Sequence, residues 1–172
     1  RQKAKYDAKL YTPIYGDISN RDRVNLAMRG VDVVIHTAAM KNITITENNP
    51  AELIRVNVDG TKIICEEALK NKVKTAIFIS SDKAVQPSTI YGTSKLAGEY
   101  LWKWASGIQK DTNFVIVRSG NFFESAGNVR ELWKSQKQRN LPLTVTDPDM
   151  TRYFIEAEDV ADLCIRIVNN PK

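Results

Sequence analysis

Short apolar runs alternate with amphipathic segments along almost the whole chain, and this alternation restricts the possible folds more than any other feature. The apolar runs have the length of β-strands and predict strands at residues 10–15, 31–36, 75–80, 113–118 and 141–145. Because parallel strands need a crossover connection, strands that alternate with helices predict an α/β fold with a doubly wound parallel sheet. The run at residues 31–36 is almost wholly apolar, which predicts a strand buried on both faces.

Four amphipathic segments predict the helices that connect these strands. They lie at residues 20–29, about 50–70, 91–108 and 128–138. Gly30 predicts the end of the first helix, and Pro50 falls in the first turn of the second, where proline is tolerated. The basic segment 1–9 is expected to be the exposed end of a helix, with a site for an anionic partner as the alternative.

Small and polar residues follow four of the predicted strands directly. Because parallel α/β sheets bind ligands at the carboxyl ends of their strands, these residues are expected to line one crevice. The candidates are Asp17, Thr37-Ala38-Ala39, Ser80-Ser81-Asp82-Lys83 and Ser119-Gly120-Asn121.

Tyr91 and Lys95 are four residues apart, so a helix would place both side chains on one face. A free tyrosine has a pKa of about 10, and a neighbouring cation favours its phenolate form. Ser80 and Ser81 come at a strand end just before this pair and could hold a substrate oxygen while Tyr91 takes its proton. A tyrosine and lysine at this spacing also occur by chance in many helices, but the serines favour alcohol oxidation.

Asp82 and Lys83 are adjacent at the same strand end. A neighbouring carboxylate and ammonium can exchange the roles of acid and base when their surroundings shift their pKa values. The alternative is a surface ion pair, worth about 0–1 kcal/mol. Their position just before Tyr91 favours catalysis.

Within the predicted helix at 50–70, four residues recur at helical spacing and predict a buried stripe: Leu53, Asn57, Gly60 and Ile64. An unpaired buried amide would cost about 1–3 kcal/mol, so Asn57 is expected to bond backbone groups at the neighbouring strand ends. Asn57 is interpreted as a support for a cofactor site, with a purely structural buried asparagine as the alternative.

Composition excludes several classes of function. The 172 residues predict one domain, and the net charge of +5 is spread along the chain among acidic residues, so no nucleic-acid partner is expected. Two separated cysteines and the single His36 predict neither a disulfide framework nor a metal site, and they fit a reducing, cytoplasmic compartment. No apolar run is long enough for membrane insertion of this segment.

A dinucleotide-binding fold begins with a strand, a glycine-rich turn and a helix. None of the eight glycines has another glycine two positions away, so the sequence contains no G-x-G-x-x-G motif. We therefore expect a single partial dinucleotide-binding domain over residues 1–172, which lacks the first β-α-β segment. A substrate-binding region is expected to start near residues 140–157.

From Gly16 to about Ala161 the chain resembles the extended short-chain dehydrogenase/reductase family, which has a Rossmann-like fold. Within it, the chain is similar to the inverting UDP-N-acetylglucosamine 4,6-dehydratases of polysaccharide biosynthesis. The motifs that carry the resemblance are Gly16-Asp17-Ile18, His36-Thr37-Ala38-Ala39-Met40-Lys41, Glu47-Asn48-Asn49-Pro50, Asn57-Val58-Asp59-Gly60, Ser81-Asp82-Lys83-Ala84, Tyr91-Gly92-Thr93-Ser94-Lys95-Leu96, Val117-Arg118-Ser119-Gly120-Asn121 and Thr146-Asp147-Pro148-Asp149-Met150-Thr151-Arg152.

The resemblance implies an NAD- or NADP-dependent lyase that acts on a UDP-sugar. Tyr91 would take the C4 hydroxyl proton with support from Lys95 and Ser81. Lys83 would act as base at C5 while Asp82 helps the C6 hydroxyl leave. The product would be a 4-keto-6-deoxy sugar inverted at C5, and the enzyme would be a homo-oligomer.

The resemblance also implies two sets of binding residues. For the cofactor these are Asp17, Ile18, Ala38, Ala39, Asn57, Ser80, Tyr91, Lys95 and Ser119. For the substrate they are Lys41, Asn121 and Arg152, the last with a surface arginine as the alternative. Ser119 and the segment Phe122-Phe123-Glu124 depart from the family pattern.

Two other functions stay open. A nucleotide-sugar 4-epimerase shares the tyrosine and lysine but needs no acid and base at C5 and C6, so Asp82 and Lys83 distinguish it from a dehydratase. A nonenzymatic remnant would keep the fold without binding a dinucleotide, as the missing glycine-rich turn would allow.

Overall fold

The computed structural model describes residues 10–123 and 129–170. Predictions for residues 1–9, for Glu124 and for a helix start at Asn128 lie outside the described residues. The elements are α1 (Arg21–Met28), β1 (Val33–His36), α2 (Ile43–Asn48), α3 (Pro50–Leu53), a π-helical segment (Ile54–Asp59), α4 (Gly60–Lys70), β2 (Thr75–Ser81), a 3₁₀ turn (Asp82–Ala84), α5 (Ile90–Ile108), β3 (Asn113–Ser119), β4 (Asn121–Phe122), α6 (Val129–Gln138), β5 (Phe154–Ile155) and α7 (Ala157–Asn169).

The main sheet is parallel, with the strand order β1-β2-β3. Val33 aligns with Thr75 at one end of the sheet, and Ser81 aligns with Ser119 at the other. All seven residues of β2 are buried, because β2 has a strand on each side and helices above and below it. The predicted parallel α/β architecture is therefore confirmed.

Helices cover both faces of the sheet, as a doubly wound fold requires. On one face Phe78 of β2 packs in a cluster with Trp102 of α5 and residues of α1 and α4. On the other face the next residue along the strand, Ile79, packs with Val160 and Cys164 of α7. The alternation of side chains along a strand thus divides β2 between two cores.

The predicted helix at 50–70 forms, but a π-helical segment interrupts it at Ile54–Asp59. The predicted buried stripe is confirmed, since its four members are all buried: Leu53, Asn57, Gly60 and Ile64. A π-helical turn bonds each amide to the carbonyl five residues earlier, and such segments occur often at functional sites. Here the segment contains Asn57.

Two predicted strands are wrong. Residues 10–15 contain no strand, and the Tyr15 carbonyl accepts bonds from the Arg23 guanidinium rather than from another strand. Residues 141–145 also lack strand structure, because the Thr144 backbone bonds the side chains of Trp133 and Gln136 on α6. Both segments have an apolar pattern typical of a strand, but in the described part of the chain neither pairs with a neighbouring strand.

The prediction that residues 31–36 are buried on both faces is also wrong. Ile35 is 49% exposed. In the described part of the chain β1 lies at the edge of the sheet, and the helix on this face, α7, packs against β2 and β3 instead. The sequence also failed to predict α2 and the short parallel pair of β4 and β5.

A close approach of α5 to the loop after β2 sets the geometry of the strand ends. The hydroxyl of Thr89 caps α5 by accepting a bond from the Gly92 amide. A Cβ atom on Gly92 would lie 2.3 Å from the Lys83 carbonyl oxygen. Only glycine therefore allows the first turn of α5 to lie directly against the backbone of Lys83.

We expect Gly92→Ala to lower the free energy of unfolding by about 1–3 kcal/mol, because its methyl group would overlap a backbone atom that cannot move alone. Gly107→Ala on the same helix is the matched control, since nothing lies within 4 Å of a Cβ there. The control should stabilise the protein by roughly 0.5–1 kcal/mol. Urea unfolding of the intact protein measures both, and equal effects would contradict the proposed contact.

His36 is a packed core histidine. It is buried, its ring stacks on Phe78 and Trp102 with centroids 5.3 and 5.9 Å away, and Nε2 lies 2.9 Å from the Thr61 hydroxyl. Burial lowers the pKa of His36 to about 3, and the positive charge of Lys95 adds to this effect. The ring is therefore neutral in the folded protein near pH 7.

This lowered pKa makes stability pH-dependent. Below pH 6.5 the unfolded chain binds a proton at His36 that the folded protein does not, so stability falls as pH decreases from about 6.5 toward 3. His36 alone should contribute about 1 kcal/mol between pH 6.5 and 5.5, and its slope approaches about 1.4 kcal/mol per pH unit at lower pH. In His36→Phe, the decrease in the free energy of unfolding between pH 6.5 and 5.5 should be smaller by this amount. An unchanged slope would contradict a neutral buried ring.

Candidate active site

A crevice of about 480 Å³ opens at the carboxyl ends of β1, β2 and β3. Most of the residues that the sequence predicts for the site line it: Ala39, Lys41, Ser80, Ser81, Lys83, Tyr91, Lys95, Ser119 and Asn121. The strand ends and the first turns of α5 therefore meet in one place. Asn42, Ile43 and Thr44 at the start of α2 form another wall, which the sequence did not predict.

Lys83 extends into this crevice from the 3₁₀ turn after β2. Its Nζ donates to Asn121 Oδ1 at 2.8 Å and to Asp82 Oδ1 at 3.0 Å. The Ser81 hydroxyl donates to the same Asp82 oxygen at 3.0 Å. About one third of each charged side chain is exposed, so the pair lies at the mouth of the crevice rather than in bulk solvent. Asp82 supports Lys83 from just outside the lining.

Tyr91 lines the crevice on the same side as Lys95, so the prediction that one helix face presents both is confirmed. Burial raises the pKa of Tyr91, a hydrogen bond with Ser81 opposes this effect, and the charge of Asp82 adds to it. The expected lowering of this pKa by Lys95 is therefore wrong. The protein environment holds Tyr91 as a neutral phenol next to Ser81.

Lys95 is only 4% exposed, which is unusual for a lysine. Its Nζ donates to the Ile79 carbonyl at 2.7 Å and lies 4.4 Å from the centre of the Phe78 ring. Burial lowers the pKa of Lys95 to about 8, and the negative charge of Glu99 opposes this effect. Lys95 is thus held by the last residues of β2, within the wall of the crevice.

Glu99 and Arg118 lie directly behind this wall, and the sequence analysis missed both. Glu99 Oε1 accepts from the Ser80 hydroxyl at 2.6 Å, and Arg118 pairs with both carboxylate oxygens. Ser119 of β3 lies against the end of β2, with its hydroxyl 3.4 Å from the Ser80 carbonyl. The spacing of Tyr91, Lys95 and Glu99, four residues apart on one helix, is the signal that could have revealed Glu99.

Asn57 anchors the loop after β1. Its Oδ1 accepts from the Met40 amide at 2.8 Å, and its Nδ2 donates to the Met40 carbonyl at 2.9 Å. Nδ2 also lies 3.0 Å from the Ser94 hydroxyl, which donates to the Tyr91 carbonyl at 2.7 Å. The expected bonding of a buried Asn57 to strand-end backbone is confirmed. The loop that carries Lys41 is thereby linked to the turn that carries Tyr91.

Six predicted site residues do not line the crevice: Asp17, Ile18, Ala38, Asn57, Asp82 and Arg152. Asp17 and Ile18 line a separate cavity of about 160 Å³, so the expectation that four strand ends share one crevice is wrong. Ala38 is exposed beside the crevice, and Arg152 is exposed and donates to the Thr151 carbonyl.

The Asp17 carboxylate is held by its own turn. It accepts bonds from the amide and hydroxyl of Ser19 and pairs with Arg55. Ser19 and Arg55 together lower the pKa of Asp17 to about 2. The pair with Arg55 fixes this turn against the π-helical segment.

Two further predictions concern metals and membranes. Within residues 10–123 and 129–170, the side chains form no cluster that could hold a metal ion. In the same residues, no helix combines the length and the apolarity that crossing a bilayer requires. Cys65 and Cys164 are buried, unpaired and on opposite sides of the sheet.

Comparisons with known proteins agree with this architecture. A UDP-N-acetylglucosamine 4,6-dehydratase (inverting) of Campylobacter jejuni subsp. jejuni serotype O:23/36 is 40% identical over 149 residues, which are 84% of this chain and 44% of that protein. A UDP-glucose 4-epimerase of Rickettsia bellii (strain RML369-C) is 38% identical and covers 87% of this chain and 45% of its own length. The chain therefore spans about half the length of these curated relatives.

A solved structure and a family model extend the comparison. The X-ray structure of Pen from Bacillus thuringiensis superposes with a TM-score of 0.86 at 38% identity, over 91% of this chain and 50% of that one. This likeness confirms the Rossmann-like fold. The family model described as polysaccharide biosynthesis protein matches residues 1–172. The chain therefore belongs to this family of polysaccharide biosynthesis proteins, and its predicted resemblance to extended short-chain dehydrogenase/reductases is confirmed.

Proposed function

We propose that this chain carries the catalytic residues of an NAD- or NADP-dependent nucleotide-sugar 4,6-dehydratase. The substrate is UDP-N-acetylglucosamine or a similar UDP-sugar, and the configuration at C5 is inverted. The observation that carries the proposal is the position of Lys83, whose ammonium lies between Asp82 and Asn121 in the crevice that Tyr91 and Lys95 also line. An acid–base pair next to an oxidising site is what elimination after oxidation needs.

Oxidation at C4 uses Tyr91 and Ser81. The Ser81 hydroxyl holds the C4 oxygen, and Tyr91 takes its proton. When bound, NAD(P)⁺ supplies the hydride acceptor at C4 and the hydride donor at C6. Because burial raises the pKa of Tyr91, the phenolate needs a cation close by at the moment of transfer. We assign this role to Lys95, one helical turn away, although Lys95 does not lower the pKa of Tyr91 in the resting site.

Elimination across C5 and C6 uses Lys83 and Asp82. The ketone at C4 makes the C5 proton acidic, and Lys83 removes it as an amine after its ammonium proton has passed to Asp82. Asp82, in its protonated form, gives its proton to the C6 hydroxyl, which leaves as water. The separation of 3.0 Å between Lys83 Nζ and Asp82 Oδ1 allows the proton to pass between them. The return of hydride to C6 and the addition of a proton to C5 on the opposite face then complete the inversion.

The described residues fit the nicotinamide end of such a cofactor better than its phosphates. Ser80, Ser119 and Lys95 form a polar wall beside Tyr91, where a ribose hydroxyl would find donors and acceptors. Ala39 lines the crevice, and Asn57 holds Met40, the residue after Ala39, in place. The 172 residues include no glycine-rich turn for a pyrophosphate.

The other predicted binding residues keep their proposed roles. Asp17, Ile18 and Ala38 are assigned to the adenosine side of the cofactor. Lys41, Asn121 and Arg152 are assigned to the UDP-sugar, because a guanidinium and an ammonium both bind phosphate. Lys41 and Asn121 line the crevice, whereas Arg152 would have to turn toward it. Assembly as a homo-oligomer stays a prediction.

A nucleotide-sugar 4-epimerase is the second candidate, favoured by the 38% identity to the Rickettsia bellii protein of that name. An epimerase would use Tyr91, Lys95 and Ser81 in the same way. It would have no use for a lysine and an aspartate at C5 and C6.

Incubation of the intact natural protein with UDP-N-acetylglucosamine in D₂O distinguishes these functions. A dehydratase gives a 4-keto-6-deoxy product that carries solvent deuterium at C5, detected by NMR and mass spectrometry. An epimerase gives the C4 epimer without deuterium. No conversion of UDP-N-acetylglucosamine or of other UDP-hexoses would reject both candidates and favour the nonenzymatic alternative.

We expect Lys83→Met to lower the rate of product formation by about 10²–10⁴-fold, the usual contribution of general acid–base catalysis. Lys74→Met is the matched control, because Lys74 forms an exposed pair with Asp32 at the same 3.0 Å at the opposite end of the sheet. The control should retain the wild-type rate. Product formation by Lys83→Met or Tyr91→Phe at the wild-type rate would reject the assigned roles.

A further inference from the structure

A carboxylate is buried directly behind the catalytic crevice. Glu99 is only 4% exposed and does not line the crevice itself. Burying an ionised carboxylate is costly unless it is paired and hydrogen-bonded, so a glutamate at this position needs a physical reason. The hydrogen-bond partners of Glu99 show which parts of the structure it holds in place.

Glu99 connects α5 to both strands that end at the crevice. Oε1 accepts from the Ser80 hydroxyl of β2 at 2.6 Å and from Arg118 Nε of β3 at 2.8 Å. Oε2 accepts from Arg118 Nη2 at 2.6 Å. These charge-assisted bonds are stronger and more directional than bonds between neutral groups. The carboxylate therefore fixes the ends of β2 and β3 relative to the helix that carries Tyr91.

Lys95 lies one helical turn before Glu99 and is equally buried. Among the described residues, the other groups packed around Lys95 supply no negative charge. The Phe78 ring is apolar, the Ile79 carbonyl is neutral, and His36 on β1 is uncharged near pH 7. Burial alone would favour the neutral amine, and Glu99 is the group whose charge opposes this.

We propose that Glu99 is a positioning residue, which keeps the buried Lys95 cationic and holds Ser80 and the end of β3 against α5. This inference rests on the proposed function, because a cationic Lys95 matters for the phenolate of Tyr91. It assigns Glu99 no contact with substrate or cofactor. The residue acts through the charge of Lys95 and the placement of Ser80.

The charges around Glu99 set the size of the effect. Arg118 on β3 pairs with it directly, and Lys103 on α5 adds a weaker positive charge. Arg118 is 47% exposed, so solvent screens part of its charge and Glu99 is only partly neutralised. A nearby opposite charge shifts a pKa by about 1–3 in the absence of such compensation. For the effect of Glu99 on the pKa of Lys95, we expect a shift at the lower end of these values.

We expect Glu99→Gln to lower the titration midpoint of Lys95 by about one pH unit. The substitution keeps the shape of the side chain and removes its charge. The midpoint is measured on the intact protein by ¹³C NMR of labelled lysine Cε, with the Lys95 signal assigned from its loss in Lys95→Met. The alkaline limb of kcat/KM should move to lower pH by the same amount, because the lysine loses its proton earlier.

Two variants separate positioning from a structural role. Glu67→Gln is the matched control, because Glu67 is also buried and bonded to an arginine and an amide, Arg21 and Asn25, but lies on α4 away from the crevice. It should reduce stability without moving the Lys95 midpoint. Arg118→Met should move the midpoint upward, since it removes the cation that partly neutralises Glu99.

These measurements test the positioning role of Glu99 independently of the proposed function. If Glu99→Gln lowers stability or rate while the Lys95 midpoint stays at its wild-type value, the positioning role is rejected. If Glu99→Gln does not fold, the direction of the shift in Arg118→Met decides, and a midpoint that stays or falls rejects the role. The NMR titration needs no substrate, so it remains decisive even if no UDP-sugar is converted.

Discussion

The complete burial of β2 is the constraint on which the rest of the structure depends. Its seven residues lie between two strands and between two layers of helices, so its side chains must alternate between two cores. Because the apolar residues of β2 end at Ile79, its last two residues, Ser80 and Ser81, bring hydroxyl groups to the carboxyl end of the sheet. Gly92 then allows α5 to start directly against this end, and Tyr91 and Lys95 come to lie beside the two serines.

Placing polar groups at a buried strand end requires that each of them be bonded. Asn57, Lys95 and Glu99 are almost fully buried, and every one bonds a strand end or the loop after it. An unpaired group of this kind costs about 1–3 kcal/mol, so these bonds also restrict how far the crevice walls can move. Among the described residues, the Thr112 hydroxyl is the buried side-chain atom without a partner, and it lies at the other end of the sheet.

The ionisable side chains of the crevice lie in two different environments. Tyr91 and Lys95 lie deep, where burial shifts both of their pKa values toward the neutral forms. Lys83 and Asp82 lie at the mouth, where water reaches both. A group deep in the wall responds strongly to a single charge such as that of Glu99, whereas an exposed pair is screened. This difference supports the proposal of oxidation in the interior and acid–base chemistry nearer the entrance.

The sequence alone determined the parallel α/β architecture, the strands β1 to β3, the helices α1, α4 and α5, and most of the crevice lining, because these follow from local periodicity and from the residues at strand ends. Tertiary structure decided the rest. Residues 10–15 and 141–145 have strand-like patterns, yet side chains of α1 and α6 bind their backbones instead. Glu99, Arg118 and the raised pKa of Tyr91 depend on burial and on contacts between separate elements, which no local pattern records.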